Sequence, residues 1–97
     1  MATIVVAYPA GEGAKFDRAY YAEKHIPLAQ QAWGDKGLIG AEVLFPHGDG
    51  QPYAGMVTLK FESQAAIDQA LASAGTAQVM ADVPNFTNIL PVMFRAD

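Results

Sequence analysis

Four apolar segments, separated by links that contain glycine or proline, predict four β-strands, because they are rich in β-branched and aromatic residues. These segments are residues 3–8, 38–45, 53–61 and 87–94. The short, glycine-containing link between the second and third segments predicts an antiparallel hairpin. Pro91 cannot donate a hydrogen bond to a ladder, so we expect the last strand at a sheet edge or at a bulge.

The segments between the strands predict helices. The first covers residues 16–34, with Asp17 as its N-cap or first-turn residue, and Gly34 and Gly37 end the helical region. Pro27 lacks an N–H and disfavours helical geometry in the residue before it, so we expect the helix to bend or break there.

A second helix follows the third strand. Ser63 is the predicted N-cap, the helix covers residues 64–73, and Gly75 ends it. Residues 76–83 predict another short helical piece, with Thr76 as its cap.

The order β-α-β-β-α-β is that of the ferredoxin-like fold of the α+β class, which has a four-stranded antiparallel sheet with two helices on one face. A chain of 97 residues is enough for one small domain, so we expect a single domain over residues 1–97.

The strands are apolar on both faces, although helices cover only one. In the first strand Ile4 and Val6 oppose Val5 and Ala7. In the other strands the expected pairs of faces are Leu38 and Leu44 against Ile39, Val43 and Phe45, then Val57, Leu59 and Phe61 against Ala54 and Met56, and finally Ile89 and Met93 against Leu90, Val92 and Phe94. Such a patch is larger than monomers usually expose, so we expect a second copy to cover it, sheet against sheet, in a two-fold homodimer.

The first helix carries the clearest candidate chemistry. Asp17, Tyr21 and His25 are spaced four residues apart, on one stripe of a regular helix. A break just past His25 would place it at a local helix C-terminus, where the dipole favours a protonated ring, with Tyr21 or Asp17 holding it. His25 is thus a candidate general acid/base at a pocket mouth, with Tyr21 as partner. The structural alternative is that His25 caps the broken helix and packs against Tyr21.

Aromatic residues elsewhere in the chain predict a site for a small hydrophobic ligand. The candidates for binding substrate are Tyr8, Tyr20, Trp33, Phe86 and Asn88. Tyr8 and Asn88 place polar groups near an otherwise apolar sheet, and a buried polar group needs a partner or a ligand. The alternative for each aromatic residue is a place in the core or the dimer interface.

Charge and composition exclude several classes of function. The net charge is −4 and the six basic residues are scattered, which argues against nucleic-acid binding. The chain has no cysteine, no signal-peptide pattern and no apolar run long enough for a transmembrane helix, so we expect a cytoplasmic protein without membrane contact. A metal site formed by His47 with His25 and Asp49, or haem bound through His25, lacks a supporting motif, and we expect neither metal nor cofactor.

The segment "FDRAYYAEKHIPLA" resembles the N-terminal signature of the EthD family, with Phe16, Tyr20, Tyr21, His25 and Pro27 at matching positions, followed by Leu28. The C-terminal segment "MADVPNFTNILPVMF" resembles the end of that family's domain. The resemblance implies a ferredoxin-like subunit that dimerises into an α+β barrel. The family's namesake is encoded with a cytochrome P450 system that degrades ethyl tert-butyl ether, and related barrels include cofactor-free monooxygenases.

The sequence therefore predicts an EthD-like protein that binds or converts a small hydrophobic compound in an oxidative degradation or biosynthetic pathway. As an enzyme it would be a cofactor-independent oxidoreductase that uses His25 as acid/base. The alternative is a non-catalytic accessory or binding protein of a cytochrome P450-type pathway.

Overall fold

The computed structural model describes residues 1–97, and its four strands form one antiparallel sheet in the order β2-β3-β1-β4. The strands are β1 (Ala2–Pro9), β2 (Leu38–Leu44), β3 (Tyr53–Phe61) and β4 (Val92–Ala96). The helices are α1 (Arg18–Tyr20), α2 (Ile26–Trp33), α3 (Gln64–Ala72) and α4 (Ala74–Asp82), with a π-helical turn at Tyr21–His25 and 3-10 turns at Gly34–Lys36 and Val83–Asn85. The predicted α+β ferredoxin-like fold is confirmed.

The hydrophobic core lies between one face of the sheet and the helices. Alternate residues of the two central strands, β1 and β3, belong to it, among them Ile4, Leu59 and Phe61. Ile67 and Ala70 of α3 are fully buried against these side chains. Because successive side chains of a strand point to opposite faces, the helices cover only half of the apolar positions in the sheet.

The first helix does not break at Pro27, and that prediction is wrong. The backbone stays right-handed helical through His25 and Ile26, and the Ile26 N–H donates to the Tyr21 carbonyl five residues before it. Pro27 lies in the first turn of α2, where a missing N–H is tolerated. The wider π-helical turn accommodates the proline ring, which would clash with a carbonyl in a regular helix, so the chain continues as one helical segment.

The second helical region contains one confirmed prediction and two corrections. Ser63 caps α3, since its hydroxyl accepts a hydrogen bond from the N–H three residues along the chain. Gly75 does not end α3 but lies inside α4, which follows Ser73, and Thr76 is therefore in the first turn of α4 rather than its cap. A Cβ on Gly75 would lie 3.0 Å from the Cβ of Ala32, so the glycine permits a close approach of α4 to α2.

The predicted faces of β2 are also corrected. The pairing of β2 with β3 shifts register between Leu38 and Gly40. Leu38 and Val43 pack against the core, whereas Ile39 and Leu44 are exposed. One extra residue in a strand reverses the alternation of its side chains, so Leu38 and Leu44 do not share a face, and neither do Ile39 and Val43.

The last strand begins later than predicted. β4 starts at Val92, directly after Pro91, and residue Thr87 makes only an isolated bridge with Phe16. β4 lies at the edge of the sheet, as expected for a strand beside a proline.

The face of the sheet away from the helices is uncovered, and its apolar residues lie together at one end. The other end is polar and carries Thr3, Lys60, Thr58 and Glu42. Leu44, Met56, Ala7 and Val92 are neighbours across the four strands, and Phe94 lies on the same face through its pairing with Val5. Val92 and Phe94 are 51% and 54% exposed. We call these five neighbouring residues, Leu44, Met56, Ala7, Val92 and Phe94, the open face.

Candidate functional site

A small cavity lies between the sheet and the helices α2 and α4. Its volume is about 40 Å³, and its lining is mainly apolar. The sheet contributes residues such as Val6 and Leu59, and the helices contribute residues such as Ala29 and Val79. The lining residues that carry polar ring groups are Tyr8, Tyr21, His25 and Trp33. No Lys, Arg, Asp or Glu lines the cavity.

His25 is held by the carboxylate of Asp82, the last residue of the neighbouring helix α4. Its Nδ1 lies 2.9 Å from Oδ2 of Asp82, and the His25 residue is only 5% exposed. Because a carboxylate accepts, this contact places the imidazole proton on Nδ1 when the ring is neutral. The other nitrogen, Nε2, then carries the basic lone pair, and no side chain of the protein occupies it.

Asp82 accepts from three side chains at once. Tyr20 donates its hydroxyl to Oδ1 at 2.7 Å, and Asn85 donates its amide to the same oxygen at 2.9 Å. Desolvation opposes ionisation here, but the hydrogen bonds from Asn85, Tyr20 and His25 outweigh it and lower the pKa of Asp82 below its usual value. The same contact with Asp82 raises the pKa of Tyr20. The carboxylate is therefore ionised and fixed in place behind the imidazole.

Tyr21 has a buried hydroxyl without a hydrogen-bond partner. The residue is fully buried, and no donor or acceptor meets its hydroxyl in hydrogen-bonding geometry, although the Tyr8 ring lies 5.5 Å away, centroid to centroid. Burial raises the pKa of Tyr8 to about 12. Burial, and then the closeness of Tyr8, raise the pKa of Tyr21 well above its usual value. Both phenols are neutral at physiological pH.

Aromatic packing holds the His25 ring in position. The His25 and Tyr21 rings are stacked, with centroids 5.4 Å apart and planes at 20°. Phe86 packs against both, at 4.6 Å from the His25 ring and 5.0 Å from the Tyr21 ring. Tyr21 and His25 lie four residues apart, so both fall on one side of the helical segment.

Trp33 contributes the other buried polar group of the cavity. Its indole N–H donates to the Thr76 hydroxyl at 2.8 Å, and that hydroxyl donates to the Ala70 carbonyl at 2.6 Å. The Trp33 indole N–H and the Thr76 hydroxyl thus both have an acceptor, so the polar groups at the Trp33 end of the cavity are fully hydrogen-bonded.

The structure brings most of the predicted site residues together. His25, Tyr21, Tyr8 and Trp33 line the cavity. Tyr20 and Phe86 adjoin it, through Asp82 and through the His25 ring respectively.

Asn88 lies outside the cavity. It accepts from the Lys15 N–H at 2.8 Å and donates to the Gly13 carbonyl at 3.0 Å, which ties a loop to the segment before β4.

The predicted surroundings of His25 need two corrections. The residue does not lie at a helix C-terminus, because helical backbone continues past it. Neither Tyr21 nor Asp17 bonds the ring: Asp17 instead caps the Tyr20 N–H, and Asp82 holds the imidazole. Sequence reasoning missed Asp82, and the only signal for it is an acidic residue within the otherwise apolar end of a helix.

The alternative metal site is not assembled. His47 and Asp49 are exposed in the link between β2 and β3, and no group of three or more His, Cys, Asp or Glu side chains in the chain is placed to hold a metal ion. No helix is both long and apolar enough to cross a membrane.

A family model for the EthD domain matches residues 10–89. The chain belongs to the EthD family. It is 36% identical over 86 residues to an 11.0 kDa protein from the thcB-thcC intergenic region of Rhodococcus erythropolis, a match that covers 89% of this chain and 82% of that protein. An EthD-like protein from Ralstonia eutropha has a similar crystal structure, with a TM-score of 0.84, 28% identity, and coverage of 99% of this chain and 89% of that one.

The EthD fold is shared more widely. SnoaB, described as a cofactor-independent oxygenase from Streptomyces nogalater, superposes with a TM-score of 0.67 at 13% identity, covering 99% of this chain and 92% of SnoaB. At this level of identity the likeness shows the fold alone.

Proposed function

We propose that this EthD-family protein binds a small hydrophobic compound in the cavity between the sheet and helices α2 and α4, and converts it with His25 as general acid/base. The observation that carries the proposal is the contact of 2.9 Å between His25 and Asp82 beside an apolar cavity. Apolar pockets with a few placed polar groups are typical of small-molecule sites.

The proposed mechanism follows from the His25–Asp82 pair. Asp82 holds the Nδ1 proton, so Nε2 is free to take a proton from the ligand. The ionised carboxylate stabilises the imidazolium that forms, and the same nitrogen then returns the proton. Apolar walls exclude water, which strengthens the electrostatic contact between the two residues.

The ligand must enlarge the cavity to enter. A volume of about 40 Å³ holds only a few water molecules. Met80 and Met93 line the cavity and are 43% and 40% exposed, so they lie between it and solvent. Methionine side chains are flexible and adapt to irregular shapes, so these two are the proposed gate.

The oxidative class of reaction is favoured by one relative in fold. SnoaB is described as a cofactor-independent oxygenase, and the acid/base chemistry that we propose here uses the side chains of His25 and Asp82. We therefore propose that the protein is a cofactor-independent oxidoreductase of a degradation or biosynthetic pathway.

The test compares His25→Ala with His47→Ala, which removes the exposed histidine as a matched control. Binding of a panel of small aromatic ketones, quinones and phenols is followed by NMR shifts of residues that line the cavity, and conversion in air by mass spectrometry. We expect His25→Ala to retain ligand affinity within a few-fold and to lose conversion, while His47→Ala behaves as wild type. Equal conversion by His25→Ala would instead identify a non-catalytic binding or accessory protein.

We further propose that the open face is the contact between two copies of the chain. Phe94 and Val92 leave a large apolar area in water, and an ordinary interface buries about 800 Å² per partner. Sedimentation at micromolar concentration should give a dimer for wild type and a monomer for Phe94→Lys. Gln30→Lys adds the same charge on the helical side and should leave the dimer intact. A strictly monomeric wild type would contradict this proposal.

A further inference from the structure

One hydroxyl donor at one end of the cavity, that of Tyr21, has no acceptor in hydrogen-bonding geometry within the protein. The Tyr21 hydroxyl is fully buried and unpaired, and Tyr8 lines the same cavity with its ring 5.5 Å from that of Tyr21. Leaving a buried polar group without a partner costs about 1–3 kcal/mol. A bound ligand that supplies an acceptor would recover this free energy, so the unpaired hydroxyl indicates what the ligand carries.

The kind of acceptor is limited by the surroundings of the two phenols. Both are neutral because burial raises their pKa values, so they donate hydrogen bonds and do not act as bases. No Lys or Arg lines the cavity, so no permanent positive charge is there to pair with a carboxylate or phosphate ligand. A carbonyl oxygen carries no net charge, so its burial costs less, and it accepts hydrogen bonds from O–H groups.

The opposite end of the cavity offers no competing place for this oxygen. The indole N–H of Trp33 is already bonded to Thr76 at 2.8 Å. The remaining lining groups are aliphatic, apart from His25. A ligand oxygen is therefore directed to the tyrosine end, beside the imidazole that stacks on Tyr21.

We propose that the ligand is a small apolar ketone, and that the cavity converts it to its enolate with Tyr21 as the oxygen-binding donor, assisted by Tyr8, and His25 as the base. This rests on the proposed function above and names its substrate class and first step. A neutral acid that faces a carbonyl oxygen, with a base beside the neighbouring carbon, is the arrangement that proton abstraction next to a carbonyl requires.

This step balances in protons and electrons. The bond between the α-carbon and its hydrogen breaks, and the proton moves to Nε2 of His25. The electron pair of that bond forms the C=C bond, and the carbonyl π pair moves onto the oxygen, where the Tyr21 O–H stabilises the negative charge. Return of the proton from Nε2 to the carbon restores the ketone, so no oxidant or reductant is consumed.

The first experiment compares two probes of similar shape. The 4-nitrophenolate ion mimics an enolate oxygen, whereas nitrobenzene lacks that oxygen, and both are titrated against wild type, Tyr21→Phe and the control Tyr53→Phe at pH 8.5. Tyr53 does not line the cavity. We expect Tyr21→Phe to weaken 4-nitrophenolate binding by about tenfold or more, because a hydrogen bond to a charged group is lost. Nitrobenzene affinity should change less than about twofold.

A second measurement follows exchange of the α-protons of 2-indanone in D₂O by NMR. Wild type should accelerate the exchange, and Tyr21→Phe and His25→Asn should each reduce that acceleration by at least about tenfold. The Tyr21→Phe variant is suited to this test because it removes only an unpaired hydroxyl and keeps the ring packing.

The outcomes separate this inference from the function on which it rests. If wild type binds neither probe, both the proposed function and the inference fail. If both probes bind and Tyr21→Phe weakens them equally or not at all, the hydroxyl is merely hydrated and the inference is overturned, while small-molecule binding stands. Preference for 4-nitrophenolate without acceleration of 2-indanone exchange overturns the enolisation step.

Discussion

The buried polar groups at the two ends of the cavity differ in whether they have hydrogen-bond partners. At one end Trp33 donates to Thr76, which donates to the Ala70 carbonyl, so every donor has an acceptor. At the other end the Tyr21 hydroxyl and Nε2 of His25 have no partner in the protein. A complete hydrogen-bond network stabilises a fold, whereas an incomplete one costs stability and keeps groups available to a ligand. We therefore expect substitutions at the Trp33 end to affect stability, and those at the Tyr21 end to affect chemistry.

Trp33→Ala should have the largest effect on stability. Trp33 is 3% exposed, and removal of its ring leaves a cavity and takes away the donor to the Thr76 hydroxyl. Truncation of a buried tryptophan costs about 3–5 kcal/mol in free energy of unfolding. Urea denaturation measures this value. A loss below about 1 kcal/mol would show that the Trp33 end does not support the fold.

Thr76→Val should have the next largest effect on stability. The substitution keeps the side-chain shape but removes both the acceptor for Trp33 and the donor to Ala70. We expect a loss of about 1–3 kcal/mol in denaturant unfolding, since a buried indole N–H is left unpaired. Thr76→Ser retains the hydroxyl and should lose clearly less. Equal losses in the two variants would assign the effect to the methyl group rather than to the hydrogen bonds.

Asp82→Asn should cost less stability and should change its dependence on pH. The amide can satisfy most of the donors but not all, so we expect a loss of about 1 kcal/mol at pH 7. The folded-state pKa of Asp82 lies below the usual value of 3.8, so its contribution is present above pH 3.8 and is lost as pH falls through the folded pKa.

The measurement for Asp82 is urea denaturation of both proteins from pH 7 to pH 2. The stability difference between wild type and Asp82→Asn should be constant down to about pH 4 and should shrink below it. A difference that grows in acid would contradict the ionised carboxylate. Conversion of ligand by Asp82→Asn should also fall, because His25 loses the acceptor that fixes its proton on Nδ1.

Tyr21→Phe should have the smallest effect on stability. The hydroxyl has no partner, so its removal should be neutral or should stabilise by up to about 1 kcal/mol, even though the residue is fully buried. Differential scanning calorimetry of this variant beside Thr76→Val gives the sharpest form of the comparison. A loss as large as that of Thr76→Val would mean that the Tyr21 hydroxyl is bonded in solution.

Much of the fold was predictable because it depends on local signals. Ser63 and Asp17 cap their helices as their side-chain chemistry predicts, and the element order gives the topology. Local patterns failed where a neighbour in space decides the outcome. The sequence around Gly75 predicts a helix end, but Gly75 lies within α4. Its lack of a side chain permits the close approach of Ala32 in α2. The reversal of faces in β2 arises from a bulge at Gly40 that alternation alone does not indicate.

The candidate site was only half predictable. His25 and Tyr21 lie four residues apart in a short motif, so their closeness is a local property. Asp82 is separated from His25 by 57 positions, and no spacing rule joins them. The unpaired state of the Tyr21 hydroxyl likewise depends on every element packed around it, and appears only once the chain is folded.

The π-helical turn at Tyr21–His25 amounts to one residue more than a regular helix would need. Deletion of Ala22, which is exposed, would restore the regular repeat and rotate the residues before it by about 100° about the helix axis. Tyr20 would then leave Asp82. In evolutionary terms, the gain or loss of a single codon in this turn would change which side chain donates to Asp82 while leaving the rest of the fold in place.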